Sequence, residues 1–177
     1  MTADPIFRPL DPETDAEAFR DLRLEALERE PRAFGTLVEE ERVRDLDYFR
    51  DRLRARQPGN VVYGAFVGAR LCGMVGMYRG EGATKRHRGT LWTVYVRPEN
   101  RGGGLAEGLL RALIAHARGH VELLTGLVVA DNDRARAFYR RLGFSVSGVE
   151  RKILKFGDHH VDEEILVMDF TEETAQG

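Results

Sequence analysis

The chain has 177 residues, 42% of them hydrophobic, with 27 basic against 29 acidic side chains and a formal charge of -2. That length suits one domain able to bury roughly two-thirds of its unfolded surface, and the even charge argues against a nucleic-acid binder or a polybasic membrane binder. A single cysteine excludes an internal disulfide, no charged-then-apolar leader opens the chain, and its apolar runs fall far short of the ~20 residues of a membrane span, so a cytoplasmic protein is expected.

Residues 6–10 read as a short strand, and Asp11, Pro12 and Thr14 as a turn and helix cap. Ala16, Phe19, Leu22, Ala26 and Leu27 then form the apolar stripe of a helix that Pro31 ends. The next piece holds Phe34, Gly35 and Thr36 and the acidic run Glu39, Glu40, Glu41. That run reads as a solvated helix face, or as a wall that attracts a cationic amine. A second helical pattern covers residues 45–56, with Leu46, Phe49 and Leu53 on one side. After a loop at residues 57–60, VVYGAFV and RLCGMVGMYR make a hairpin turned by Gly68 and Ala69. Cys72 falls among apolar neighbours in its second strand, which suits a buried thiol better than a nucleophile. The loop at residues 80–88 carries Lys85, Arg86, His87 and Arg88, charges that either solubilise the loop or meet phosphates.

The stretch LWTVYVRPENRGGGLAEGLLRAL, residues 91–113, organises the rest. Trp92, Val94 and Val96 alternate with Leu91, Thr93, Tyr95 and Arg97, as in a strand with unlike faces. Pro98 stops it, three glycines follow, and Leu105, Leu109, Leu110, Leu113 and Ile114 resume at helical spacing. A helix start leaves backbone N–H groups unpaired and carries about half a positive charge, so it favours an anion. Glycines let a bulky phosphate approach the backbone, and Arg101 adds a forked cation at the mouth of the loop. A Walker loop is ruled out because no Lys-Ser or Lys-Thr pair follows, and a dinucleotide loop is disfavoured because Glu107 stands where the third glycine belongs.

Beyond this helix, VELLTGLVVA is a nearly all-apolar strand, expected to pair in parallel with the strand before the glycines through a right-handed crossover. His116 and His120 have the spacing of helical metal ligands, but Gly119 lies between them and no third ligand is evident, so no metal is expected. Asp131, Asn132 and Asp133 cap a short helix ending at Gly143, and residues 144–154 and 160–170 read as a closing hairpin. Residues 1–5 and 171–177 read as disordered tails of one domain whose ordered core covers about residues 6–170.

Two motifs carry a resemblance. Arg101, Gly104 and Ala106 fill Arg/Gln-x-x-Gly-x-Gly/Ala after a strand ending V-x-P, and Asn132, Ala135, Phe138, Tyr139, Leu142, Gly143 and Phe144 fill N-x-x-A-x-x-F-Y-x-x-L-G-F. Together they resemble the GNAT superfamily of acyl-CoA-dependent N-acetyltransferases, as does the order of elements: strand, two helices, three strands, helix, strand, helix, two strands. The resemblance implies an α/β (α+β) fold, with a mixed, largely antiparallel sheet, a parallel pair at its centre and helices on both faces. It implies acetyl-CoA as acyl donor, with Val94, Tyr95 and Val96 against the pantetheine and thioester, and Arg101, Gly102, Gly103, Gly104, Leu105, Ala106 and Glu107 at the pyrophosphate. Asn132 would touch the arm, Tyr139 would protonate the departing thiolate as general acid, and a backbone N–H near Val94 would stabilise the oxyanion. The acceptor would be a primary amine of a small molecule or peptide, and the protein a monomer or homodimer. Some family members place a glutamate five residues before the asparagine, and Leu127 stands there in this chain. Glu39, Glu40, His87, Asp162, Glu163 or a water chain remain as possible bases. His87 stands in a segment that resembles a bacterial branch with a histidine at this place, and a neutral imidazole is a proton acceptor. A non-catalytic acyl-CoA-binding module is the alternative reading.

Overall fold

The computed structural model describes residues 4–171; the sequence expectations for residues 1–3 and 172–177 lie outside them. Seven strands form one sheet: β1 (Ile6–Pro9), β2 (Val61–Val67), β3 (Arg70–Arg79), β4 (Arg88–Val96), β5 (Leu123–Val129), β6 (Ser145–Phe156) and β7 (His159–Asp169). Their order is β1-β2-β3-β4-β5-β7-β6. Every neighbouring pair is antiparallel except the central β4 and β5, in agreement with the expected mixed sheet. The crossover between those two is α4 (Leu105–Arg118).

One sheet face carries α4 and α5 (Asp133–Arg141), and the other carries α1 (Ala16–Arg29), α2 (Val38–Arg42) and α3 (Leu46–Leu53). On the first face Leu109, Leu110 and Leu113 pack with Leu124 and Leu166. On the second Phe19, Leu22, Leu27 and Phe49 pack with Met74. Each such side chain, fully buried, stabilises the fold by about 1.5–3 kcal/mol before conformational entropy is counted. Phe19 meets both Phe49 and Trp92 edge-on at 6.3 Å between ring centres, which fixes α1 against α3 and β4.

Three α-helices, not the expected two, lie between β1 and β2, with a 3-10 turn at Pro31–Ala33. The extra one is the five-residue α2, too short to show a helical period. The first cap also differs. Asp11 accepts the amides of Glu13 and Thr14 and so closes a turn, whereas the carboxylate of Asp15, at the helix boundary, takes the Asp11 amide and a forked pair of bonds from Arg8. Asp45 caps α3 through the amide of Tyr48 at 3.0 Å. Cys72 is buried, as expected.

Candidate active site

Strands β4 and β5 pair at three positions only, Arg88 with Leu123, Gly89 with Leu124 and Thr90 with Thr125. Past Thr90 they separate around a cleft of about 1060 Å³ lined by residues 90–96 and residues 126–129. Backbone groups of β4 that would have met β5 are thereby left for a ligand. The cleft also touches the loop before α4, the inner side of α5, and Phe34, Thr36 and Arg52 on the opposite face.

The strict alternation expected along β4 does not hold. Two residues, Thr93 and Val94, stand opposite Val75, and Thr93 adopts a left-handed φ of 54°. This bulge turns Val94 and Val96 to the α4 side with Leu91, while Trp92 and Tyr95 pack toward α1. The side chain of Tyr95 therefore points to the α1 side, where its hydroxyl donates to Glu25 at 3.1 Å; burial and that carboxylate push its pKa up to about 12. Only the backbone of Tyr95 can serve a ligand between the strands.

A β-branched residue at positive φ is strained, and its surroundings must hold it there. Arg23 of α1 donates to the Thr93 hydroxyl at 3.3 Å and grips Glu41 through Nε and Nη2, the shortest bond being 2.7 Å. Both partners are buried, with Glu41 only 1% exposed. The acidic run is thus not a uniformly solvated face: Glu39 and Glu40 are exposed, and Glu41 turns inward because a helix face gathers residues three apart, here Val38 and Glu41.

At the loop, Gly102 and Gly104 take φ of 86° and 83°, and a Cβ placed on Gly102, Gly103 or Gly104 would meet no atom within 4 Å. The space above the loop is open. The backbone ladder of α4 starts with Gly108 N–H to the Gly104 carbonyl at 2.9 Å, so the amides of Leu105, Ala106 and Glu107 precede it, at the end where the helix dipole favours an anion. Gly102, Gly104, Ala106 and Glu107 line the cleft. Gly103 and Leu105 do not; Leu105 sends its side chain into the core and leaves only its amide to the loop. Arg101 lines the cleft but is already engaged, Nε to the Val96 carbonyl at 2.9 Å and Nη2 to Glu30 at 3.0 Å. It ties β4 to α1 rather than standing as an uncommitted cation, and it occupies the Val96 carbonyl.

Tyr139 lines the cleft between the rings of Phe138 and Phe144, each with its centre 5.6 Å away. Burial pushes its phenol pKa up, so the proton stays on at neutral pH. Asn132 spends its side-chain oxygen on the Ala135 amide at 3.1 Å, capping α5 and leaving its NH₂ group.

Among the five candidate bases, Glu163 alone lines the cleft. It is 7% exposed, and burial, then the nearby Glu150, push its carboxyl above the usual range. Glu39 and Glu40 face solvent on α2. Asp162 falls on the other side of β7, as alternation requires, and accepts the Lys152 amide at 2.7 Å. His87 is exposed just ahead of the paired segment of β4, at the end away from the opening, and its carbonyl receives the amides of Glu122 and Leu123. Leu127 pairs with Ile165, and Val129 with Glu163. Residues two apart share a face, so the carboxylate missing at Leu127 is present about 7–8 Å away on the neighbouring strand.

Arg23, Glu41, Thr93 and Arg52 are the residues that sequence reasoning missed. A signal for the first existed, because Arg23 interrupts the apolar stripe of α1 four residues after Phe19. His116 and His120 stack at 4.3 Å and spend ring nitrogens on the carbonyls of Gly59 and His116.

The family model described as Acetyltransferase (GNAT) family matches residues 16–144. The chain is 39% identical over 95 residues to the N-alpha-acetyltransferase RimI of Mycobacterium tuberculosis, a match covering 54% of this chain and 58% of that protein. It is 40% identical over 73 residues to an L-methionine sulfoximine/L-methionine sulfone acetyltransferase of Pseudomonas aeruginosa, covering 40% of this chain and 42% of that one. The chain thus spans about half the length of these curated relatives. Among solved structures, yncA of Salmonella typhimurium, a putative acetyltransferase with its cofactor acetyl-CoA, superposes with a TM-score of 0.81 at 21% identity over 95% of each chain. A ribosomal-protein-alanine N-acetyltransferase of Brucella melitensis superposes at 0.80 with 24% identity, covering 93% of this chain and 99% of that one.

Proposed function

The chain belongs to the GNAT family of acetyltransferases, and from that premise we propose that it moves an acetyl group from acetyl-CoA to a primary amine of a small molecule or peptide. The observation that carries the reading is the cleft where β4 and β5 part, with bare loop amides at one end and Tyr139 and Glu163 within it. The curated relatives bear names of enzymes acting on an alpha-amine and on L-methionine derivatives, which is why a primary amine is the proposed acceptor.

When bound, acetyl-CoA supplies an acyl group activated as a thioester. The amides of Leu105, Ala106 and Glu107, beneath the open space over Gly102, Gly103 and Gly104, would hold its pyrophosphate. Backbone groups of Val94 and Tyr95 and the NH₂ of Asn132 would hold its arm, and the Val94 amide would face the carbonyl oxygen. Glu163 takes a proton from the incoming amine, a task suited to a carboxylate whose pKa lies above the usual range. Tyr139 carries the proton needed by the leaving sulfur, and its buried hydroxyl keeps it at neutral pH. Every residue in this scheme comes from one chain, so the reading needs no second copy.

A thiol-release assay with acetyl-CoA and a panel of primary amines tests it. Thiol release that depends on the amine is expected, and Tyr139→Phe is expected to lower kcat by about 10²–10⁴-fold while acetyl-CoA affinity by calorimetry holds. Binding of acetyl-CoA without release for any amine would leave the module reading in its place.

A further inference from the structure

On the face of α1 and α3, two arginines share one carboxylate. Glu41 gives both oxygens to Arg23, with bonds of 2.7 to 3.2 Å. Arg52, near the end of α3, comes no nearer to Glu41 than 3.9 Å. Its Nη1 donates to the Tyr48 hydroxyl at 2.6 Å, and its guanidinium lies 4.5 Å from the Trp92 ring centre and 5.4 Å from that of Tyr48. Its Nε is buried with no hydrogen-bond partner among the described residues. A partly buried guanidinium whose nearest carboxylate stands at 3.9 Å and is already held by Arg23 is a cation short of neutralisation.

Its position gives that shortage a meaning. Arg52 and Tyr78 line both the main cleft and an adjoining hollow of about 330 Å³, whose other lining includes Arg54 and Arg56 against the single acid Asp51. The loop amides and α4 occupy the opposite face of the sheet, so an acceptor that meets a thioester held between β4 and β5 comes in from the side of Arg52, Trp92 and Phe34. We propose that Arg52 selects the acceptor by a carboxylate: the amine that enters the cleft belongs to a molecule whose acid group pairs with this guanidinium. The inference rests on the acetyltransferase reading above and narrows its substrate class. A carboxylate accepts two parallel N–H bonds from one guanidinium edge, and the two terminal nitrogens of Arg52 form such an edge, Nη1 keeping one hydrogen after its bond to Tyr48. The two aromatic faces hold the fork flat while it waits. The acid can be the alpha-carboxylate of a free amino acid or a side-chain carboxylate of a peptide, and the two sources are separable by assay.

The experiment compares matched acceptors with acetyl-CoA: free L-amino acids against their amides, and short peptides with Asp or Glu against the same peptides with Asn or Gln. The acid-bearing member is expected to win by roughly tenfold to a hundredfold in kcat/KM. A preference confined to one set of pairs identifies the source. In Arg52→Gln the ratio is expected to fall to near one, and Arg52→Lys, which keeps a point charge without the fork, is expected to keep part of it. Equal turnover of acid and amide by the natural protein, or an undiminished preference in Arg52→Gln, would overturn the inference. If no amine releases thiol, the transferase reading fails, and calorimetry of the same acids on the acetyl-CoA-bound protein decides the inference separately. Binding lost in Arg52→Gln supports it; equal binding, or none, overturns it.

Discussion

Burial pushes up both the carboxyl of Glu163 and the phenol of Tyr139, with opposite consequences for which form is present. The phenol becomes harder to ionise and so remains a donor; the carboxylate becomes harder to keep ionised and so a better acceptor. For Glu163 the folded pKa lies above the unfolded one, so the folded state binds the proton more tightly. Stability therefore falls as pH rises from the ordinary carboxyl value through the raised one, and above that the penalty is complete. Glu163→Gln has no such penalty. Denaturant melts across pH are expected to show the variant gaining on the natural protein through that window and staying ahead above it, while kcat drops by about 10²–10⁴-fold. A variant with unaltered turnover would remove Glu163 from the scheme. In the sequence His87 stood slightly apart by its neighbours, and the four carboxylates could not be ranked, because a carboxylate's value as a base depends on which strand face it occupies and on what surrounds it. Leu127 could be read as a gap; that β7 fills the gap needed the register of β5 against β7.

The element that most affects the geometry is the bulge in β4. Thr93 keeps a left-handed backbone because Arg23 reaches across from α1, and Arg23 stays in place because Glu41 of α2 neutralises it. Removing one partner leaves a buried charge alone, so Glu41→Gln is expected to cost about 3–5 kcal/mol in urea denaturation. Arg23→Met with Glu41→Leu removes both charges and is expected to keep stability within about 2 kcal/mol of the natural protein. Its kcat is nevertheless expected to fall, because Thr93 loses its clamp and the Val94 amide its aim. A double variant with natural kcat would show the pair to be structural only. Helix α4 and the loop before it were plain in the sequence, since the leucine spacing and the glycines are local signals. The bulge was not, because Val, Thr and Tyr in alternation look the same whether or not one residue is squeezed out. The contact that clamps it comes from a residue 70 positions away. Arg101 is the same kind of miss: its motif position was legible, its bond to Glu30 was not.

At the scale of the molecule, the chain order of strands and helices and the parallel pairing of β4 with β5 were legible in sequence pattern, because periodicity and connection length restrict topology strongly. Helices on both faces came from the family resemblance, and the place of β7 between β5 and β6 came from the structure. The number of helices before β2 was not legible, since a five-residue helix carries almost no periodicity. A ligand held by both β4 and the α4 loop stabilises the whole fold by mass action. Acetyl-CoA at 100 times its dissociation constant is expected to add about 2.7 kcal/mol and to raise the melting temperature by roughly 5–10 °C. NAD and ATP at equal concentration are expected to leave it unchanged, and the reverse pattern would count against the cleft as a coenzyme site. The three-pair junction of β4 with β5 has one more consequence. It is the shortest pairing in the sheet, so the protein divides there into a four-strand half and a three-strand half. Sub-global opening would start along that line, exposing the amides of Leu123, Leu124 and Thr125 to deuterium before those deeper in either half. A coenzyme lodged in the gap would then act as a missing rung, slowing exchange in strands it never touches.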